Sequence, residues 1–206
     1  MMSNLGRQSP DTPEKRVCQR TRLSSLGRPA GLADVALGLG ANRGDPAQAI
    51  ANAIRLLTGG GLLQARCSPL YQSRPVNCEP GTPPFVNAAL TARWGDTPAA
   101  LLDLCQRVET RLGRPRQHSS REARVIDIDL LLFADRVIEK RTLTVPHPRL
   151  RERLFVLAPL HDLAPGWRIP PDQTPVTEIY RHRRAATPCP DRAVQRLHIP
   201  GEPNGT

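Results

Sequence analysis

Val125-Ile126-Asp127-Ile128-Asp129-Leu130-Leu131-Leu132-Phe133 is a strongly apolar stretch that carries two acids two positions apart. Alternation with period two sends Asp127 and Asp129 to one face of a strand and Ile126, Ile128 and Leu130 to the other. Continued, it puts Leu131 and Phe133 beside the acids, so that face is expected to be partly covered. Upstream lies a loop, residues 114–124, polar or charged at every position from Arg116 to Glu122. Before it, Thr97-Pro98 opens a helix with Leu101, Leu104, Val108 and Leu112 on one face, and Gly113 ends it. Val86, Ala88 and Leu90 alternate as a strand. Residues 72–84 form a long loop, because Pro75, Pro80, Gly81, Pro83 and Pro84 forbid regular structure. Residues 62–71 read as another strand. A helix from Asp45-Pro46 to Gly59-Gly60-Gly61, apolar at Ala47, Ile50, Ile54 and Leu57, follows a strand through Val35, Leu37 and Leu39.

Strand, helix, strand, strand, helix, strand is the order of a ferredoxin-like split βαβ unit. The expected class is therefore α+β, an antiparallel sheet with both helices on one face. A C-terminal extension over residues 134–180 adds a hairpin through Leu143 and Val145, a helical turn near Arg149 to Arg153, and a closing segment from Phe155 to Ile169.

At 206 residues one core is expected. The formal charge of +10 lies mostly at the ends: residues 1–33 hold six basic and two acidic side chains, and residues 181–206 hold five and two. Residues 34–180 keep only +3, too little to mark a nucleic-acid surface there. Composition makes 1–33 a disordered basic leader, 34–180 the folded domain and 181–206 a disordered basic tail. No apolar run reaches the length of a membrane span, and none follows the basic residues near the N-terminus. The five cysteines are odd in number and scattered, which implies neither a disulfide framework nor a zinc site. A cytoplasmic location without membrane contact is expected.

Two carboxylates on one strand face start about 6–7 Å apart and can converge on one or two magnesium ions. Magnesium favours carboxylate together with phosphate oxygens, so the pair suits a nucleotide. A DxD alone is also common on solvated sheet faces; the apolar strand around this one speaks for a site. Arginines cluster nearby, at Arg114, Arg116, Arg121 and Arg124 and, after His147, at Arg149, Arg151 and Arg153. Beside a magnesium pair they read as a phosphate clamp. Residues 38–44, GLGANRG, lack the GxGxxG spacing and no Walker A lysine follows, which argues against Rossmann and P-loop nucleotide binding.

Over residues 34–170 the chain resembles the 6-hydroxymethyl-7,8-dihydropterin pyrophosphokinases. Residues 37–45, LGLGANRGD, are similar to that family's ALGSNxGD opening, and 85–89, FVNAA, to its (Y/F)LNA segment. Residues 124–133, RVIDIDLLLF, resemble RxxDxDxxxF, and 143–147, LTVPH, resemble LxxPH. The resemblance implies transfer of pyrophosphate from ATP to the hydroxymethyl group of a reduced pterin in folate biosynthesis, with release of AMP. It makes Asp127 and Asp129 ligands of two magnesium ions bound with ATP. It assigns Asn87 to a hydrogen bond with the pterin, Phe85 and Phe155 to a sandwich around its ring, and Ser73 and Val76 to main-chain pterin contacts. Gln106 and Glu109 fall near the nucleotide, Thr144, His147 and Arg153 at ATP-binding positions, and Arg114 and Arg124 on the mobile loop that assists transfer. The partners implied are ATP and the pterin alcohol, without nucleic acid, for a chain acting as a monomer.

The chain departs from the family in one mobile loop, with Arg121-Glu122-Ala123 where many members carry Trp-Gly-Pro, and in another with Asn77 in place of a common glycine. Two rivals stand beside this reading. A catalytically altered pterin-binding paralogue is the nearer one; a nucleic-acid-binding module lacks the sheet aromatics it would use.

Overall fold

The computed structural model describes residues 31–75, 81–114 and 124–197. In chain order the elements are β1 (Ala33–Ala41), α1 (Pro46–Gly59), β2 (Leu63–Cys67), β3 (Tyr71–Ser73), β4 (Phe85–Trp94), α2 (Pro98–Arg111) and β5 (Asp127–Phe133). The extension supplies β6 (Ile138–Lys140), β7 (Leu143–Val145), α3 (Leu154–Leu163), β8 (Arg168–Ile169), β9 (Thr174–Pro175), α4 (Val176–Ala186), α5 (Pro190–Ala193) and β10 (Val194–Arg196).

Both early helices start where the sequence punctuates them. Asp45 accepts from the Gln48 amide and Thr97 from the Ala100 amide, each followed by a proline that has no amide to leave unsatisfied. The main sheet runs β10-β3-β4-β1-β5, with β2 sharing an edge of β4 with β3, and every pairing is antiparallel. Val35, Leu37, Leu39 and Leu90 pack from one face against Ile50, Leu57, Leu101 and Leu104 of α1 and α2. Burial of Cys105 in this layer pushes its thiol up to about 12, so it behaves as a small apolar side chain.

The two early helices share one face as expected, and the acids' face is covered too: Ala36, Ala89, Leu131 and Leu132 cluster with Leu157 and Leu160 of α3 and with Ile179 and Tyr180 of α4. Two expectations are corrected. The acids' face does not keep Phe133. Ala36 pairs with Leu132 but Leu37 pairs with Leu130, so Leu131 is an extra residue at a β-bulge. Past the bulge the alternation inverts, and Phe133 turns into the α1/α2 layer while Leu131 stays on the acids' side.

The second correction concerns the end of the domain. Residue 180 lies inside α4, and Val194–Arg196 pairs with β3 through Val194↔Ser73 and Arg196↔Tyr71. The edge of β3 would otherwise expose its amides and carbonyls, and β10 satisfies them. The ordered chain thus extends at least to residue 197, where the Leu197 amide donates to the Leu70 carbonyl. The expected leader, apart from residues 31–33, and residues 198–206 lie outside the described residues. Among the described residues no helix is long and apolar enough to cross a membrane.

Candidate active site

The strand register builds a trough on the sheet face away from α1 and α2. Gly40 of β1 pairs with Asn87 of β4 on one side and with Asp127 of β5 on the other. One step along, Gly38 pairs with Ala89 and with Asp129. Paired residues point to the same side, so Asn87 and Asp127 stand across a floor without side chains, about 10 Å apart at two strand spacings. A Cβ on Gly40 would lie 3.3 Å from Asn87 Oδ1, a tight contact that would press Asn87 out of place. The glycines rejected as a nucleotide loop are this floor.

At the β4 end Asn87 is buried and its Nδ2 donates to Ser73 Oγ at 2.9 Å, with the Tyr71 and Phe85 carbonyls at 3.4 and 3.5 Å. The amide nitrogen is therefore committed to the protein and Oδ1 is left over Gly40 as an acceptor. Phe85 and Phe155 line the same cavity, about 680 Å³ in volume. The Arg153 guanidinium lies 5.4 Å from the Phe155 ring centre.

At the β5 end Asp127 is paired with both Arg114 and Arg124. Arg114 also bonds Glu109 of α2, whose Oε1 accepts the Ile128 amide at 2.7 Å, tying the helix to the strand that carries the acids. Burial pushes the Glu109 carboxyl above the usual range, while that amide and Arg114 oppose the shift. Asp129 is likewise raised, by burial and then by the negative charge of Asp127. His147 Nε2 lies 3.8 Å from Asp129 Oδ2, and its Nδ1 accepts the Arg149 amide at 3.2 Å. With Nδ1 accepting, the proton of neutral His147 sits on Nε2 and faces Asp129. Burial lowers the His147 pKa, and Arg153 and Arg149 add to this against the pull of Asp129.

These residues fit magnesium. The donors are carboxylate oxygens, two acids on one face, and Asp129 is raised by burial and then by its neighbour Asp127, so a bound cation would offset both effects. Among the described residues there is no group of three or more His, Cys, Asp or Glu that could hold a metal by itself. The remaining positions fall to water and phosphate oxygens, which is how magnesium is usually held.

Asn42 joins the two loops expected to be mobile. Its Nδ2 donates to the Pro83 carbonyl at 3.2 Å, and its Oδ1 accepts the Arg124 amide at 2.6 Å. The Asn42 amide in turn donates to the Arg124 carbonyl at 3.0 Å. Sequence reading passed over Asn42 as a site residue, although it stands within the quoted opening motif.

The profile of the 7,8-dihydro-6-hydroxymethylpterin-pyrophosphokinase family matches residues 36–165. The chain belongs to this family. A 2-amino-4-hydroxy-6-hydroxymethyldihydropteridine pyrophosphokinase of Bacillus subtilis is 38% identical over 128 residues, 62% of this chain and 75% of that one. The Pseudomonas aeruginosa enzyme of the same name is 34% identical over 166 residues, 79% of this chain and 96% of its own length. A Synechocystis relative is 36% identical over 64% of this chain and 66% of its own. A wild-type Plasmodium falciparum HPPK-DHPS crystal structure with pteroate superposes with a TM-score of 0.66 at 14% identity, covering 84% of this chain and 47% of that one. That likeness shows the fold, and the α+β reading agrees with it. Family membership supports pyrophosphate transfer in folate synthesis, and nothing in the comparisons favours an altered paralogue.

Of the site residues expected for a pyrophosphokinase, Ser73, Phe85, Asn87, Arg114, Arg124, Asp127, Asp129, His147, Arg153 and Phe155 line one cavity. Gln106 and Glu109 line a second, of about 770 Å³, which shares Arg114, Asp127 and Asp129 with the first. Thr144 sits exposed on β7 and lines neither. Val76, Asn77 and Arg121-Glu122-Ala123 lie outside the described residues.

Proposed function

We propose that this chain binds a reduced pterin alcohol at the Asn87 end of the trough and ATP at the Asp127 end, and moves the pyrophosphoryl group between them. The carrying observation is the row Asn87, Gly40, Asp127, which sets an amide acceptor for a flat ring and a carboxylate for a phosphate-bound cation across one bare floor. Phe85 and Phe155 supply stacking surface, and Asn87 Oδ1 reads a donor on the ring edge. The nucleotide base and ribose occupy the second cavity beside Gln106 and Glu109.

Asp127 and Asp129 would hold two magnesium ions, which when bound neutralise phosphate charge and fix the geometry of transfer. Arg114 and Arg124, now on Asp127, can exchange that carboxylate for phosphate oxygens, which their forked donors match. His147 remains neutral near pH 7 and presents Nε2–H, so it acts as a donor rather than a base. The hydroxymethyl oxygen attacks the β-phosphorus, the bond to the α-phosphate oxygen breaks, AMP leaves, and the hydroxyl proton passes to water. Orientation and charge stabilisation carry such a transfer without a covalent enzyme intermediate. Asn42 helps to exclude water by holding both loop ends over the trough. The chain works as a monomer in the cytoplasm.

Purified protein incubated with ATP, magnesium and 6-hydroxymethyl-7,8-dihydropterin should release one AMP per pterin pyrophosphate formed. Hydrolysis of ATP without pterin modification, or no turnover at all, overturns the proposal.

A further inference from the structure

The family profile ends at residue 165, yet a residue beyond it reaches the cavity of the trough. Arg183 of α4 lines that cavity together with Ser73, Asn87 and Phe155. Its Nε is buried and has no hydrogen-bond partner among the described residues. Its guanidinium also has no ion pair among them, unlike those of Arg114 and Arg124, which bond Asp127. A buried guanidinium donor without an acceptor is unfavourable in the free protein and favourable as soon as a ligand supplies one.

Charge indicates which ligand. The cavity is lined by six arginines against the carboxylates of Asp127, Asp129 and Glu152. The pterin ring already has two aromatic faces and the Asn87 amide, whereas a guanidinium matches phosphate oxygens. The alcohol entering this cavity is neutral, and the ester that forms there carries a pyrophosphate. We propose that Arg183, presented by the C-terminal helix, is a substrate-binding residue that donates to a phosphate oxygen of the pyrophosphorylated pterin. β10 is what positions it: the strand pairs on β3 at Ser73 and anchors the segment that follows α4 against the cavity wall. The inference rests on the pyrophosphokinase reading.

The test measures affinities of the full chain for the pterin alcohol and for its pyrophosphate ester, by calorimetry, in wild type, Arg183→Gln and Arg183→Lys. Arg183→Gln should weaken the ester by about tenfold or more, as expected for loss of a hydrogen bond to a charged group. The alcohol should bind all three proteins equally, and Arg183→Lys should fall between the other two for the ester. Salt should weaken ester binding less in Arg183→Gln than in wild type. Unchanged ester affinity, or an equal loss for alcohol and ester, overturns the inference while leaving the pyrophosphokinase reading intact. A wild type that binds neither pterin and releases no AMP removes both. Because the buried Arg183 donor has no partner among the described residues, its loss should not lower the thermal midpoint, which keeps a folding defect from imitating either result, and Arg183→Lys retains the stem if glutamine perturbs α4.

Discussion

At the scale of single residues the site holds charge that the free protein tolerates poorly. The Asp129 carboxyl is raised above its ordinary 3.8, so the folded chain binds that proton more tightly than the unfolded chain. Such a group adds to stability below 3.8 and loses that contribution as pH rises through the folded value; at neutral pH its ionised form is a liability. Asp129→Asn should therefore raise the thermal midpoint at pH 8 in metal-free buffer, and the gain should shrink as pH falls toward 4. The same change should lower AMP release by about 100-fold or more, through lost stabilisation of transferring charge. A midpoint that falls at pH 8 would make the side chain structural, and near wild-type turnover would contradict the metal role. Asn42 has the opposite character. It is buried with both ends of its amide engaged. Asn42→Ala orphans the Pro83 carbonyl and the Arg124 amide and should cost about 1–3 kcal/mol in denaturant unfolding. Turnover should drop more than ATP binding, because Arg124 loses its place while the acids keep theirs. Asn42→Asp keeps the acceptor for Arg124 and should retain more activity than alanine.

Elements show what the chain announced and what it hid. α1 and α2 were legible because apolar spacing, an Asp or Thr cap and a following proline agreed, and β1, β4 and β5 because alternation did. The bulge at Leu131 was not, since period two carries no mark of an inserted residue, and it alone moved Phe133 to the other face. Alternation also set Asp127 and Asp129 on one face, whereas Phe85, Asn87 and Phe155 needed the family resemblance to be gathered across the chain. The Asn42 bonds span 41 and 82 residues, a separation no local pattern encodes. α4 was masked by its arginines: Val176, Ile179 and Tyr180 form its inner stripe, with Tyr180 stacked on His161 at 4.5 Å, but the outer face reads as a charged tail. Its continuation into β10 gives a prediction. A chain ending at residue 180 loses β10, uncovers the β3 edge and removes the last turns of α4. It should unfold at lower denaturant, by on the order of 2 kcal/mol of lost apolar cover. It should also bind pterin more weakly, because Ser73 orients Asn87 from β3. A chain ending at residue 197 should match the full protein in both measurements; equal behaviour of the two truncations would show that β10 holds nothing in place.

At the scale of the whole molecule, the described residues form a sheet closed on both faces by two apolar layers. The layer under α1 and α2 draws on residues from Ala33 to Val145, and the layer under α3 and α4 on residues from Ala36 to Tyr180. Residues 1–30 do carry charge: six of the 29 basic side chains against two of the 19 acids, which is +4 of the formal +10. Charge of that kind acts on association with polyanions and on solubility, whereas stability follows the apolar layers. Deleting residues 1–30 should accordingly leave the thermal midpoint and the rate of AMP release at wild-type values. It should lower the salt concentration at which the protein elutes from a heparin column, because fewer counterions are released on binding. The two readouts separate the cases. A fall in midpoint would mean that the leader packs on the domain and that its composition misled. A fall in AMP release with the midpoint unchanged would place leader residues at the trough, where arginines already outnumber carboxylates. Unchanged heparin elution would assign the basic character to the arginines of α4 and the cavity rim.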